Sequence, residues 1–113
     1  MNELRILDII GTPEAILRPF GAKVAETIRP YIEADKPVSL SFEGLNGVIG
    51  SFLRASIGEL YRTFGKEKMD SLLICTHLTR PVWQSLLAET ILLATNPEEA
   101  QAHEDALAYT LSL

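Results

Sequence analysis

The chain has 113 residues, of which 47% are hydrophobic and 22% are charged, and its formal net charge at pH 7 is −5. This is the size and composition of one folded domain, and it excludes an intrinsically disordered chain, which needs low hydrophobicity and high net charge. The 15 acidic residues outnumber the 10 basic ones, and no long run of Lys or Arg occurs, so neither nucleic acid nor an anionic membrane surface is an expected partner.

The sequence carries no signal for a membrane span or for secretion. No apolar stretch approaches the roughly 20 residues that cross a bilayer. The segment MNELRILDII lacks the basic region and the small-residue cleavage site of a signal peptide. Cys75 is the single cysteine, so it cannot form an internal disulfide, which agrees with a reducing compartment. We therefore expect a cytoplasmic protein.

The first half of the chain is predicted to contain a strand, a helix and a second strand, in that order. Residues 4–10 are rich in Ile and Leu and precede a Gly-Thr-Pro turn, which indicates a strand. Apolar residues then recur at helical spacing up to residue 35, with Pro30 as a point where the helix would bend or end. Residues 38–42 alternate as a second strand, and residues 15–17 are a candidate for an additional one.

The second half continues this alternation. An apolar stripe over residues 51–64 predicts a helix that stops at Gly65, and Gly58 inside it predicts a close approach to a neighbouring element. Residues 71–76, SLLICT, are typical of a strand that is buried on both faces. The next helix is predicted to be capped by Thr79, to contain Pro81 in its first turn and to stop at Thr95.

These elements predict an α/β fold with a small, mostly parallel sheet and helices packed on its faces. The expected domain covers residues 1–95. Asn96-Pro97-Glu98-Glu99 has the pattern of a helix start, so residues 96–113 are predicted to form an extra C-terminal helix. The apolar Leu107, Leu111 and Leu113 of that helix would pack on the domain or on a partner chain.

Three glycines, Gly44, Gly47 and Gly50, lie in the loop between the second strand and the following helix. Ligands and partners of open α/β sheets often bind at such a place. The spacing GxxGxxG is neither of the common phosphate-binding patterns, GxGxxG and GxxxxGK[ST]. The favoured interpretation is therefore that the glycines allow the chain to turn tightly. A positive φ at Gly47 is one way in which glycine would do so.

The segment VSLSFEGLNGVIGSFLRASIGELYRTFG resembles the STAS domains of anti-sigma-factor antagonists and, more closely, a bacterial STAS-like family of unknown function. The preceding LRPFGAKVAETIRPYIE and the following LLICTHLTRPVWQSLLAET fit the same family, so the resemblance covers roughly residues 4–93. It implies a STAS-like fold and a signalling role through protein–protein interaction.

The resemblance also implies a candidate phosphoacceptor. In anti-sigma-factor antagonists the loop ends in Asp-Ser-Ser-Gly, and a partner kinase with a GHKL-type ATP site phosphorylates the second serine, which falls on Ser51. The chain departs from that motif at Ile49, Gly50 and Phe52, which replace the acidic residue, the first serine and the glycine. The alternative is that Ser51 only caps the helix, as serine does at many helix starts.

The resemblance implies a partner-binding surface around the same loop. Its predicted residues are Gly47, Val48, Ile49, Gly50, Ser51 and Phe52. A docking module should expose an apolar strip around Val48, Ile49 and Phe52. The expected partner is a protein, such as a GHKL-type ATPase or kinase or a transcription regulator, and a homodimer is left open.

Other candidate sites are weaker. Cys75, His77 and His103 do not supply the three or four closely spaced ligands of a zinc site, so no metal and no cofactor is expected, and Cys75 is interpreted as a core residue. Trp83 with Arg80 could form an exposed anchor, although tryptophan is more often buried. No nucleophile, base and orienting group are evident together, so no catalytic residue is predicted and the protein is not expected to be an enzyme. The alternative function is a small-ligand or nucleotide-binding domain that uses the loop from Gly44 to Ser51.

Overall fold

The computed structural model describes residues 2–96. The first strand is shorter than predicted, since β1 covers Asn2–Arg5 and a short helix, α1, covers Ile6–Ile10. The prediction of a strand up to residue 10 was wrong because Ile6 and Ile10 are four residues apart and both buried, as on one face of a helix. Asp8 in its first turn accepts hydrogen bonds from the Arg5 side chain.

The next elements follow the predicted order. The two-residue strand β2 (Glu14–Ala15) is followed by α2 (Arg18–Glu33), which continues through Pro30 for three more residues, and by β3 (Val38–Ser41). A second two-residue strand, β4 (Gly47–Val48), lies inside the glycine loop, where the sequence predicted no strand. The suspected additional strand near residues 15–17 is thus present as β2, one residue earlier.

The helix after the glycine loop is continuous and contains one π-helical turn. It consists of α3 (Gly50–Leu53), the π turn (Arg54–Gly58) and α4 (Glu59–Phe64), and it ends at Gly65, whose φ is +89°. A Cβ atom added at Gly58 would lie 3.2 Å from Thr90 Cγ2, which confirms the predicted close approach.

The last part of the described chain differs from the prediction at the start of β5 and at the N-cap of the helix that follows it. Residues 66–72 form α5 (Lys66–Leu72), so the strand β5 (Leu73–Thr76) begins two residues later than expected. The final described helix, α6 (Pro81–Thr95), has Arg80 at its N-cap without a side-chain bond. The prediction that Thr79 caps it was therefore wrong, whereas Pro81 does occupy the first helical position and the helix ends at Thr95. The predicted C-terminal helix lies outside the described residues beyond Asn96.

All strand pairings in residues 2–96 are parallel. One sheet has the order β1-β3-β5, and β2 pairs with β4 in a separate two-stranded sheet. Side chains alternate between the faces of a strand, and Val38, Leu40 and Leu73 point into the core. On the opposite face Ile74 is 49% exposed. The prediction that the third main strand is buried on both faces was therefore wrong, because the face that is covered at Ser39 of β3 is open to solvent at Ile74 of β5.

The core lies between this sheet and the helices. Its largest fully buried side chains include Phe42, Phe52, Ile28, Ile32, Leu60 and Met69. Trp83 is buried as well, and its ring centroid lies 6.4 Å from that of Phe42. The favoured interpretation of Trp83 as a core residue is therefore confirmed over the alternative of an exposed anchor, and the Arg80 guanidinium lies 5.0 Å from the centroid of the indole ring. The Phe42–Trp83 contact packs the start of α6 against the residue that follows β3.

Candidate functional site

Two helix N-termini lie side by side at one end of the molecule because β2 and β4 are parallel. Ala15 and Val48 are register partners, and the Ile49 amide donates a hydrogen bond to the Ala15 carbonyl at 3.3 Å. Each strand runs on into a helix: Leu17 is the N-cap residue of α2 and Ile49 is the N-cap residue of α3. The small sheet thus sets the starting points of both helices.

A close crossing at Gly21 holds the two helices together. A Cβ atom at this position would lie 2.6 Å from the Phe52 carbonyl oxygen and 2.9 Å from Ala55 Cβ. A real Cβ atom could not occupy that space without moving the backbone. Glycine therefore permits the approach of α2 to α3, and the approach fixes the spacing of their N-termini.

Three exposed apolar side chains lie at these helix starts. The side chains of Ile16, Leu17 and Ile49 are 40%, 51% and 44% exposed, and we call these residues the Ile49 patch. Continuation of the β2–β4 register brings Ile16 beside Ile49. Large apolar side chains that are exposed together mark interaction surfaces more often than single ones do.

The exposed strip differs from the predicted one. Val48 is 6% exposed and Phe52 is fully buried, so the expectation that both lie on the surface was wrong. Strand alternation turns Val48 into the core, and the first helical turn after Ile49 carries Phe52 under α2. Of the three predicted apolar contacts, only Ile49 is available to a partner, and the structure adds Ile16 and Leu17. The sequence signal for these two was their apolar character directly before a helix start.

Ser51 is the second residue of α3, in the first turn beside the Ile49 patch. The helix begins at Gly50 with Ile49 as its N-cap residue, so the prediction that Ser51 caps the helix was wrong. The serine is partly exposed, and its hydroxyl group has no hydrogen-bond partner among residues 2–96. The hydroxyl group is therefore partly accessible to solvent.

Two arginines and one glutamate lie at the helix starts around this site. Arg18 begins α2 and Arg54 follows α3, and both are exposed. One terminal nitrogen of Arg54 lies 3.0 Å from the position that a Cβ atom on Gly50 would take. Within the described chain neither arginine forms an ion pair with a carboxylate. Glu14 is the nearby acidic group, with its carboxylate against Gly47.

Among the three glycines of the loop that leads to this site, Gly44 is the one whose backbone angle favours glycine. Gly44 has a φ of +83°, whereas Gly47 and Gly50 do not have positive φ. The idea that Gly47 requires positive φ was therefore wrong, because Gly47 pairs with Glu14 as an ordinary strand residue. The turn itself is made at Gly44, directly after the Phe-Glu pair.

A second cluster of polar side chains lies at the carboxyl ends of the three-stranded sheet. The Ser41 hydroxyl lies 3.0 Å from His77 Nδ1, and His77 Nε2 lies 3.3 Å from a carboxylate oxygen of Glu43. Sequence reasoning missed this cluster because Ser41 and His77 are 36 positions apart. The available signal was that parallel strands bring their carboxyl ends to one edge, where the residues after each strand meet.

Cys75 lies against the core, as the sequence predicted. Loss of surrounding solvent raises the pKa of its thiol to about 12. The neighbouring His77 is turned away from it and contacts Ser41 instead. The thiol is thus kept in its neutral form at physiological pH.

Residues 21–83 match the model of the family described as a STAS-like domain of unknown function (DUF4325). The matched region contains the Gly21 crossing, the glycine loop, Ile49 and Ser51, and it ends at Trp83. Neither the curated proteins nor the solved structures contain a match to the chain. No helix within residues 2–96 is long and apolar enough to cross a membrane. Because the match spans more than half of the sequence and the small parallel sheet with packed helices agrees with it, the chain belongs to the family of STAS-like domains of unknown function.

Proposed function

We propose that the protein is a regulatory protein-interaction module that docks a partner on the Ile49 patch and acts there by binding, without a chemical step. The observation that carries the proposal is the exposure of Ile16, Leu17 and Ile49 together at two adjacent helix starts. Burial of such side chains would drive association by about 25 cal/mol for each Å² removed from water.

The groups around the patch define the chemistry of the partner. The first amide groups of a helix lack partners within the helix, and the helix dipole makes this end positive. Neither α2 nor α3 has a side-chain cap. With Arg18 and Arg54 at the rim, the surface suits an apolar partner segment that also carries carboxylates. A GHKL-type ATPase or kinase, or a transcription regulator, is the partner class that the family resemblance implies.

Ser51 is the proposed switch of this surface. A phosphate group would add about −1.5 to −2 charges directly beside Ile49. The helix start and the Arg54 guanidinium would stabilise that charge, so the domain would remain folded. The same charge would repel an acidic partner segment, so phosphorylation would release the partner. A GHKL-type kinase is the proposed source of the phosphate.

The test is a comparison of two matched variants as tagged proteins in lysate of the source cell. Ile49→Glu places a carboxylate in the patch, whereas Ile74→Glu makes the same change at a side chain of similar exposure on the other sheet. We expect the amount of partner protein recovered with Ile49→Glu to be at least about tenfold lower than with the unaltered chain, as at an interface hot spot. The amount recovered with Ile74→Glu should be unchanged. Equal recovery by both variants would contradict docking at this patch.

Phosphorylation is tested in the same material by mass spectrometry of the peptide that contains Ser51. We expect the modified peptide in the unbound fraction and the bare peptide in the partner-bound fraction. A Ser51→Ala variant should bind constitutively. Modification at equal levels in both fractions would remove the switch from the proposal while leaving the docking surface intact.

A further inference from the structure

The Ser41–His77–Glu43 cluster lies outside the Ile49 patch and plays no part in the proposed docking. Arg5, Ser41 and Thr76 are register partners at the carboxyl ends of β1, β3 and β5. Glu43 lies two residues after the end of β3, and His77 directly follows β5. In open α/β sheets the crevice at this edge is the usual place for small ligands.

The three side chains are connected through His77, by a hydrogen bond with Ser41 and an ion-pair contact with Glu43. His77 Nδ1 lies 3.0 Å from Ser41 Oγ, and His77 Nε2 lies 3.3 Å from Glu43. When the imidazole carries its proton on Nε2, Nδ1 is the acceptor for the serine O–H, and Nε2 faces the carboxylate. A nucleophile within hydrogen-bond reach of a base, with the base oriented by a third group, is the arrangement that activates serine.

Two backbone features support this arrangement. His77 has a φ of +59°, a left-handed conformation that residues other than glycine adopt infrequently and that is enriched at functional sites. The Glu43 amide donates a hydrogen bond to Ser41 Oγ at 3.1 Å. This donor would stabilise negative charge on the oxygen as its proton leaves.

The cluster opens into a cavity of about 250 Å³ that Arg5 and Asp8 also line. Asp8 accepts from two nitrogens of Arg5, at 3.1 and 3.0 Å, and raises the pKa of Arg5. The other terminal nitrogen of Arg5 lies 3.7 Å from a carboxylate oxygen of Glu43, so Glu43 lies between Arg5 and His77. Three carboxylates line the cavity, those of Glu3, Asp8 and Glu43. The site therefore disfavours anionic ligands. The volume and the charge fit a small uncharged molecule.

We propose that Ser41 is a nucleophile activated by His77 and that it reacts with small, uncharged, activated acyl esters to form an acyl-serine. The Ser41 O–H bond breaks and its proton passes to His77 Nδ1. Ser41 Oγ forms a bond to the acyl carbon, and the bond from that carbon to the leaving oxygen breaks. The leaving group departs as a phenolate, or as an alcohol that takes up the proton held by His77.

The experiment treats the full chain with p-nitrophenyl acetate, follows p-nitrophenolate release and locates the acetyl group by peptide mass spectrometry. We expect a stoichiometric burst with the acetyl group on Ser41. The burst should be lost in Ser41→Ala and slowed at least about 10²-fold in His77→Gln, which keeps a polar side chain but removes the base. Thr76→Val is the matched control: it removes the other hydroxyl beside Nδ1, 3.2 Å away, and should keep the burst.

Thermal unfolding of each variant separates loss of reactivity from loss of fold. A folded Ser41→Ala variant that keeps the burst would overturn the proposal. So would acetyl groups found only on surface lysines, or an undiminished rate in folded His77→Gln. A burst that is lost in Ser41→Ala, slowed in His77→Gln and kept in Thr76→Val would establish the activated serine, whatever the outcome for docking at the Ile49 patch.

Discussion

Gly44 is the residue of the glycine loop whose backbone conformation excludes other side chains. Its φ is +83°, and a Cβ atom there would lie 2.8 Å from a methyl carbon of Leu7. We expect Gly44→Ala to lower the free energy of unfolding by about 1–2 kcal/mol, the usual cost of a left-handed conformation for an L-residue. Urea denaturation measures this difference.

Gly47→Ala is the control for that prediction. Gly47 lacks positive φ, and an added Cβ would meet only the mobile end of the Glu14 side chain, at 2.8 Å. We expect a change within about 0.5 kcal/mol, as for most surface substitutions. If Gly47→Ala were the more damaging of the two, the loop would turn at a different glycine from the one described.

The thiol of Cys75 should be unreactive while the protein is folded. Burial raises its pKa to about 12, so the thiolate that attacks iodoacetamide is scarce at mildly alkaline pH. Because the pKa is raised in the folded state, this group stabilises the fold below its unfolded pKa and loses that contribution as the pH rises toward 12. We expect slow alkylation in buffer and fast alkylation in urea.

A surface cysteine provides the comparison for this measurement. In a Cys75→Ser background, Ser71→Cys places a thiol at an exposed position of α5. That variant should react quickly in buffer. Equal native rates for Cys75 and the Ser71→Cys thiol would show that Cys75 is accessible, contrary to its place against the core.

At the scale of elements, the crossing of α2 and α3 depends on Gly21. An added Cβ would lie 2.6 Å from a backbone oxygen, which cannot move without moving the helix. We expect Gly21→Ala to destabilise the protein by about 1–3 kcal/mol, the range for overpacked cores. Gly58→Ala should be milder, because its Cβ would meet Thr90 Cγ2 at 3.2 Å and alanine gains about 1 kcal/mol of helix propensity.

Denaturant unfolding of the two variants checks this order. A larger loss for Gly58→Ala than for Gly21→Ala would mean that α6, and not α2, makes the tighter contact with the helix after the glycine loop. The measurement also bears on the site, since the Gly21 crossing sets the distance between the helix starts that carry Leu17 and Ile49.

The elements that the sequence predicted well are those with long periodic patterns. The helix over residues 20–35 and the helix that stops at Gly65 were both found, because an apolar stripe of three or four turns is distinctive. Short elements were less predictable. Helices α1 and α5 span five and seven residues, so their few apolar positions fit a strand equally well.

The sequence indicated where along the chain the candidate site lies, but not which of its apolar residues are exposed. The family resemblance indicated the loop up to Ser51, and the helix begins one residue earlier, at Gly50. Which apolar residues are exposed depended on the two-residue strands β2 and β4, whose pairing joins residues more than 30 positions apart. No local pattern encodes that pairing, and so Ile16 and Leu17 were missed while Val48 and Phe52 were assigned to the surface.

At the scale of the whole molecule, the apolar, arginine-flanked patch lies at the end where two helices start, on a chain of net charge −5. An acidic body with a local basic rim would orient an acidic partner toward that end. The proposed reactive serine lies at the carboxyl edge of the other sheet, so the two proposals concern separate surfaces.

The most direct measurement of docking is site-specific photo-crosslinking in the source cell. A photoreactive amino acid replaces Ile49 in one variant, Leu17 in a second and Ile74 in a third. The account predicts that the same partner protein is captured from positions 49 and 17 and not from 74. Capture from position 74 alone, or from all three positions alike, would contradict a docking surface at the two helix starts.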